Sequence, residues 1–344
     1  MHLARLSVLH RLNKRALSTI YLGGGTPSLW PVSRLRDLLH NIVKQFNVED
    51  GAEISLEANP DTLSLGKLRG LRAAGFNRLS LGVQSFSEES LSLLGRLHKP
   101  GQISKAVAWA RRAGFSNLSL DMMYGLPKQT PAQAMQDLEQ LLALGPEHIS
   151  LYQLTLNPGT PLGKRYQPDR APMPDEDTVI QMEDLLYAAC QATGFARYEV
   201  SNFARSGFAC RHNASTWRGG DYLALGPGAH GHMGGRRFAN LYDLNSYINA
   251  WQNQGGLEFE EVLSGHQRAA ELFILGLRTV VGVDLQQVSR LIGQPALDYY
   301  APALAQLESR QWARLNYPWL QPTSLGLRMA DSAAELFLDD KEED

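Results

Sequence analysis

The chain has 344 residues, 44% of them hydrophobic and 20% charged, enough to bury a sizeable core as one large domain with a smaller companion. A net charge of −2 offers no extended basic footprint for nucleic acid, and no apolar run approaches the roughly 20 residues that a membrane helix needs. Its two cysteines, Cys190 and Cys210, supply no disulfide framework and suit a reducing cytoplasm.

The first 20 residues carry Arg5, Arg11, Lys14 and Arg15, no acid, and leucines at 3, 6, 9 and 12. A transit peptide has this basic, amphipathic character. The run leads directly into the strand-like Ser18-Thr19-Ile20-Tyr21-Leu22, so the reading preferred here is the end of a helix feeding that strand. From Ser18 to about Gln153 a short β-rich run, a turn and a longer helical stretch repeat. Strands are expected at Thr19–Leu22, Glu53–Ala58, Arg78–Val83, Leu118–Met123 and Ile149–Gln153. Helices are expected at Pro31–Gln45, Ser87–Leu94, Gln102–Ala113 and Pro131–Leu144, with Gly114 and Gly145 as stops after the last two. Alternation of this kind predicts βα units on a parallel sheet.

In such sheets ligands collect beyond the carboxyl ends of the strands. Gly23-Gly24-Gly25-Thr26-Pro27 follows the first expected strand, and three successive residues without Cβ let the backbone approach a ligand closely. It matches neither GxxxxGK[ST] nor GxGxxG, and no other phosphate loop supports a nucleotide-dependent enzyme. Glu57, Gln84, Asp121 and Gln153 stand at or near the ends of successive strands. Each alone reads as a turn or cap; together, on the rim that holds the triglycine loop, they favour a site.

A proline-containing linker from Pro158 to Pro174 leads to an expected helix from Glu176 to about Thr193. A β-rich stretch follows, holding Tyr198–Ala204, Cys210-Arg211-His212-Asn213 and Gly226-Pro227-Gly228-Ala229-His230-Gly231. From about Ser264 the periodicity turns helical. The expected units are residues 1–175, 176–262 and 263–344, the last helical with a winged-helix-like option and ending in the solvated acidic run Asp339–Asp344.

The series Gly23-Gly24-Gly25-Thr26-Pro27-Ser28, Glu57-Ala58-Asn59-Pro60, Asn77–Phe86, Arg96 and Asp121–Pro127 resembles that of radical S-adenosylmethionine proteins related to oxygen-independent coproporphyrinogen III oxidase. Cys210-x-His212-Asn213, Gly226–Gly231 and Ser85 after Gln84 resemble the heme-chaperone (HemW-type) branch. The resemblance implies an α/β fold, a (β/α)6-type partial barrel followed by a β-rich segment and a small helical C-terminal domain. It implies S-adenosylmethionine, heme and a [4Fe-4S] cluster as cofactors, and a heme acceptor protein as partner. On it, Gly24, Gly25 and Thr26 hold the methionine end, Glu57 accepts from the ribose, and Gln84, Arg96 and Asp121 contact S-adenosylmethionine at a second site, with Arg96 suited to either a methionyl carboxylate or a porphyrin propionate. Candidate heme ligands are Cys210, His212 and His230, since thiolate and imidazole both serve as axial ligands. Cys210 and His212, two apart, face the same way if that piece is extended. The alternative for each is a structural role: a loop contact for Cys210 and His212, a turn hydrogen bond for His230.

The family's three cluster cysteines, spaced C-x3-C-x2-C ahead of the glycine turn, have no counterpart in the 22 residues before Gly23. Cys190 and Cys210 are too few and too distant in sequence to replace them. The expectation is a missing first strand through a start-site or fragment artefact, rather than a shortened radical-inactive paralogue, with Thr19–Leu22 left as an edge that favours association. Heme carriage is the first functional reading. The alternative is oxidative decarboxylation of coproporphyrinogen propionates, which needs the cluster.

Overall fold

The computed structural model describes residues 15–165, 173–253 and 255–338; the basic leucine-spaced run at 1–14 and the acidic tail lie outside them. Among the described residues seven strands form the main sheet: β1 (Ala16–Leu22), β2 (Asn47–Ala58), β3 (Arg78–Gln84), β4 (Leu118–Tyr124), β5 (His148–Gln153), β6 (Ala196–Arg197) and β7 (Asn202–Ala204). Their order is β1-β2-β3-β4-β5-β7-β6. The first five are parallel, whereas β7 runs antiparallel to β5 and β6 antiparallel to β7. The sheet curls into a partial barrel. The five expected strands are all present, and β2 begins six residues earlier than expected, at Asn47.

Strand alternation divides the sheet into two chemically distinct faces. Leu56, Leu79, Leu81, Val83, Leu118, Leu120, Met122, Ile149 and Leu151 point outward into one core. Against them pack Leu35 and Leu39, Leu68 and Leu71, Ile103 and Ala106, Leu138 and Leu141, and Met182 and Leu186, from five helices. Truncating one such leucine to alanine costs about 2–5 kcal/mol. Local signals set the helices: Thr130 accepts from Gln133 N, the Gln133 side chain returns to Thr130 N, and Pro131 stands at the first turn.

The inward rows are polar. One row runs Tyr21, Ser55, Arg78; the next Glu57, Ser80, Ser119, His148; a third Gly82, Asp121, Ser150. Such side chains can line the inside of a parallel sheet only where they satisfy one another or a ligand.

Among the described residues β1 is the outermost strand of the sheet and pairs with β2 alone. The helix Arg211–Trp217 lies against it: His212 Nδ1 is 3.2 Å from Thr19 Oγ1, and its ring stacks on Tyr21 with centroids 5.0 Å apart. Arg15 pairs with Asp221 close by.

A second sheet comprises β8 (His230–Met233), β9 (Arg236–Asn240) and β10 (Leu257–Val262), antiparallel in the order β10-β9-β8. The C-terminal part has its own core, where Phe273 stacks on Phe337 at 3.7 Å beside Leu285, Val288 and Leu307. Alongside its helices it carries a three-stranded sheet of β11 (Val283–Asp284), β12 (Ala313–Asn316) and β13 (Trp319–Pro322), in the order β11-β13-β12, which the helical periodicity does not reveal. Backbone bonds from Val200 N to Arg278 O (2.9 Å) and from Val280 N to Tyr198 O (3.2 Å) tie it to the barrel. No described helix is long and apolar enough to cross a membrane.

Candidate functional site

Beyond the carboxyl ends of β1 to β4 lies a cleft of about 160 Å³ lined by Gly24, Gly25, Thr26, Glu57, Ala58, Asn59, Ser80, Gly82, Gln84, Arg96 and Asp121. All seven residues expected for the cofactor therefore meet in one place. A larger cleft of about 250 Å³, between the helices Glu88–Leu93 and Pro131–Ala143, contains none of them.

Each wall has a local cause. Gly24 has φ +119°, which a side chain resists, and this turn aims its N–H at Glu57 Oε2, 3.1 Å away. Tyr21 donates its hydroxyl to Glu57 Oε1 at 2.8 Å. Burial pushes the Glu57 carboxyl above its ordinary range, and these two bonds pull it back. Asn59 Nδ2 donates to Thr26 Oγ1 at 3.3 Å, joining the loop to the end of β2.

At the end of β3 the pairing with β4 is irregular between Gly82 and Gln84, and Gln84 takes the left-handed φ of +69°. That bend swings the Gln84 amide across Gly82, where a Cβ would stand 2.9 Å from Gln84 Nε2 and 3.2 Å from Asn59 Oδ1. A side chain there would push the two amides aside. Arg96 follows the helix Glu88–Leu93, its N–H closing onto Leu91 O at 2.9 Å, and its Nε is buried without a protein partner. A buried, unpartnered guanidinium N–H on a cleft wall is suited to a carboxylate.

Asp121 forms the floor. Ser80 donates to both its oxygens at 3.2 Å, and Ser119 to Oδ1 at 3.2 Å. Burial raises its carboxyl, opposed by bonds from Ser150, Ser80 and Ser119 and by the charge of Arg78. Arg78, only 2% exposed, occupies the lumen beneath, among Cys210, Glu53, Tyr21 and Tyr198.

The three candidate heme ligands are not together. Cys210 and His212 do not lie on an extended piece: Cys210 caps a helix that begins at Arg211, so strand alternation does not relate them. They converge instead on Glu53, which accepts from Arg211 N (3.0 Å), His212 N (3.2 Å) and Cys210 Sγ (3.4 Å). Cys210 is wholly buried, and burial pushes its thiol up to about 11. His212 is partly buried, with its imidazole held below the usual range by desolvation. His230 is exposed on the second sheet, in the row His230–Ala239–Phe259, its ring 5.9 Å from that of Phe259.

Asn59, Ser80 and Gly82 line the cleft without having been singled out from sequence. Asn59 and Gly82 fall within stretches that carry the resemblance, and Ser80 is recognisable by its inward phase, two residues from Gly82. Cys190 is buried in the outer core, on the other side of the wall from Cys210. The two thiols do not fit a three-thiolate cluster, and among the described residues no group of three His, Cys, Asp or Glu side chains is poised for a metal ion.

Comparison with known proteins is consistent along the chain. Residues 5–141 match the Radical SAM superfamily and residues 263–329 the HemN C-terminal domain. The chain is similar to the heme chaperone HemW of Haemophilus influenzae, with 42% identity over 64% of this chain and 57% of that protein. To the heme chaperone HemW of Bacillus subtilis it is 35% identical over 87% of this chain and 79% of that protein. The match therefore spans little more than half the length of the first relative and about four fifths of the second. In structure the chain is similar to the coproporphyrinogen III oxidase HemN of Escherichia coli, with a TM-score of 0.83 and 24% identity over 98% of this chain and 82% of that one, a likeness of fold.

Proposed function

The chain belongs to the heme chaperone HemW family within the radical S-adenosylmethionine superfamily, and from that premise we propose that it carries heme to an acceptor protein in the cytoplasm, with S-adenosylmethionine as the ligand of the barrel cleft. The observation that carries the cofactor reading is the convergence of Gly24, Gly25, Thr26, Glu57, Gln84, Arg96 and Asp121 on one cleft. S-adenosylmethionine brings a sulfonium and an amino group, which two carboxylates attract, and a carboxylate, which accepts from the unpartnered Nε–H of Arg96. In this reading the backbone at Gly24 to Thr26 holds the methionyl end, Glu57 accepts from ribose hydroxyls, and Gln84 reads a polar edge. Because the two cysteines do not fit the cluster, no radical step is assigned to this chain.

For heme, the accessible candidate is His230, an exposed imidazole beside the half-exposed apolar ring of Phe259; Cys210 and His212 are engaged with Glu53 and Thr19. The test is a heme titration of the whole chain. A Soret shift that saturates at one heme per chain, and is lost in His230→Ala but kept in Cys210→Ala, is expected. No saturable shift overturns heme carriage, and loss only in Cys210→Ala or His212→Ala moves the ligand to the lumen. Calorimetry with S-adenosylmethionine tests the cleft separately.

A further inference from the structure

A buried chain of hydrogen bonds runs from the floor of the cleft to the opposite part of the lumen. Ser119 Oγ donates to Asp121 Oδ1 at 3.2 Å; His148 Nδ1 lies 2.8 Å from Ser119 Oγ; and His148 Nε2 lies 2.8 Å from the hydroxyl of Tyr198. Ser119 and His148 are neighbours in one inward row of β4 and β5. His148 is 1% exposed and Ser119 fully buried, so the chain is sealed from solvent at its centre. Tyr198 sits on the segment whose backbone bonds to Val280 of the C-terminal part.

The polarity of this chain follows from its end. With Asp121 ionised its oxygens accept only, and a Ser119 proton directed at Asp121 leaves Ser119 Oγ to accept from His148. His148 then carries its proton on Nδ1, and Nε2 is left to accept from Tyr198. We propose that His148 is a positioning residue for Asp121: through Ser119 it fixes the carboxylate that faces the cleft, and the charge of Asp121 is in turn written into the imidazole tautomer. The geometry has an electrostatic companion, for burial and the nearby Arg78 hold His148 well below its ordinary range, which keeps the ring neutral and able to donate at one nitrogen while accepting at the other. The groups facing Asp121 are Ser80 and Arg78 from β3, Ser119 on its own strand, Ser150 and Tyr152 from β5, Glu57 from β2 and Tyr21 from β1. The role in ligand binding rests on the cofactor reading of the cleft; the tautomer does not.

The experiment is nitrogen-15 NMR of the full chain labelled at histidine, with His148→Gln identifying the signal. At pH 7 the wild-type ring is expected as the neutral Nδ1–H tautomer. Asp121→Asn and Ser119→Ala are expected to release it into a mixture. Affinity for S-adenosylmethionine is expected to fall roughly 3- to 10-fold in Ser119→Ala, the worth of one hydrogen bond. A wild-type ring found as Nε2–H or as imidazolium overturns the proposal. So does a tautomer unchanged in Asp121→Asn, which would assign the ring to Tyr198 alone. A wild-type chain that binds no S-adenosylmethionine overturns the cofactor reading and the positioning role with it, while the tautomer series still decides how Asp121 is held.

Discussion

Gly24 donates its amide to Glu57 at 3.1 Å, so the loop after β1 is bolted to the end of β2 by the same carboxylate that faces the cleft. Glu57 therefore does two jobs, and its substitution separates them. Glu57→Gln keeps an oxygen for the amide but removes the charge. Affinity for S-adenosylmethionine should fall about 10- to 100-fold, the range of a hydrogen bond to a charged group, with little change in thermal midpoint. Calorimetry and melting on the same sample check it; unchanged affinity would remove Glu57 from the binding site.

The three glycines are not equivalent. A Cβ on Gly23 would lie 2.9 Å from both Glu57 Oε1 and the Tyr21 ring, whereas one on Gly25 meets nothing within 4 Å. Gly23→Ala should displace Glu57 and weaken cofactor binding, with a stability cost of about 1–3 kcal/mol. Gly25→Ala should leave stability within about 0.5 kcal/mol of wild type, since it touches nothing. Equal denaturation midpoints for the two variants would contradict the geometry.

Glu53 fixes the start of the helix Arg211–Trp217 by accepting from two backbone amides and the Cys210 thiol. Glu53→Ala leaves the buried thiol and the two partly buried amides without this acceptor, and a loss of about 2–4 kcal/mol is expected in urea unfolding. In the native wild type, Cys190 and Cys210 should both resist a thiol reagent, being wholly buried with thiols pushed up to about 12 and about 11. In Glu53→Ala, Cys210 should become reactive first. Rapid native labelling of Cys210 in the wild type would show that the helix does not close the lumen.

His148 gives the pH dependence a sign. Its folded value lies well below the unfolded one near 6.5, so the unfolded chain binds the extra proton. The stability that its burial as a neutral ring allows is fully present above pH 6.5 and declines as pH falls below it. The raised carboxyls of Glu57, Asp121 and Glu199 act in the opposite sense, losing stability as pH rises through their folded values. Comparison with His148→Gln isolates the ring: between pH 6.5 and 5 the wild type should lose up to about 1.4 kcal/mol per pH unit more than the variant. Parallel curves would mean that the imidazole ionises inside the fold.

The rim of the cleft was legible in the sequence because its members stand where a strand stops, next to turn residues that break the pattern. Glu57, Gln84 and Asp121 were found that way, and the loop from Gly24 to Thr26 by its composition. Arg78 and His148 were not, because each opens its strand and looks like a charged or polar residue on a solvated end. Only the inward row reveals them, and that requires the register: Arg78 beside Ser55, His148 beside Ser119. The helix at Arg211–Trp217 escaped for a different reason. Its start depends on a carboxylate 158 residues earlier, so no local signal marks it. The strands of the C-terminal sheet are two to four residues long and leave too short a pattern to distinguish from helical flanks.

The division of the main sheet into an apolar outer face and a polar inner one has a consequence for how such a protein can change. Folding draws on the outer leucines and valines, while recognition is written in the serines, acids and amides they leave behind the wall. A substitution on one side need not be compensated on the other. The same shell can be refurnished for a new occupant, one inner residue at a time, without renegotiating the means by which it stands.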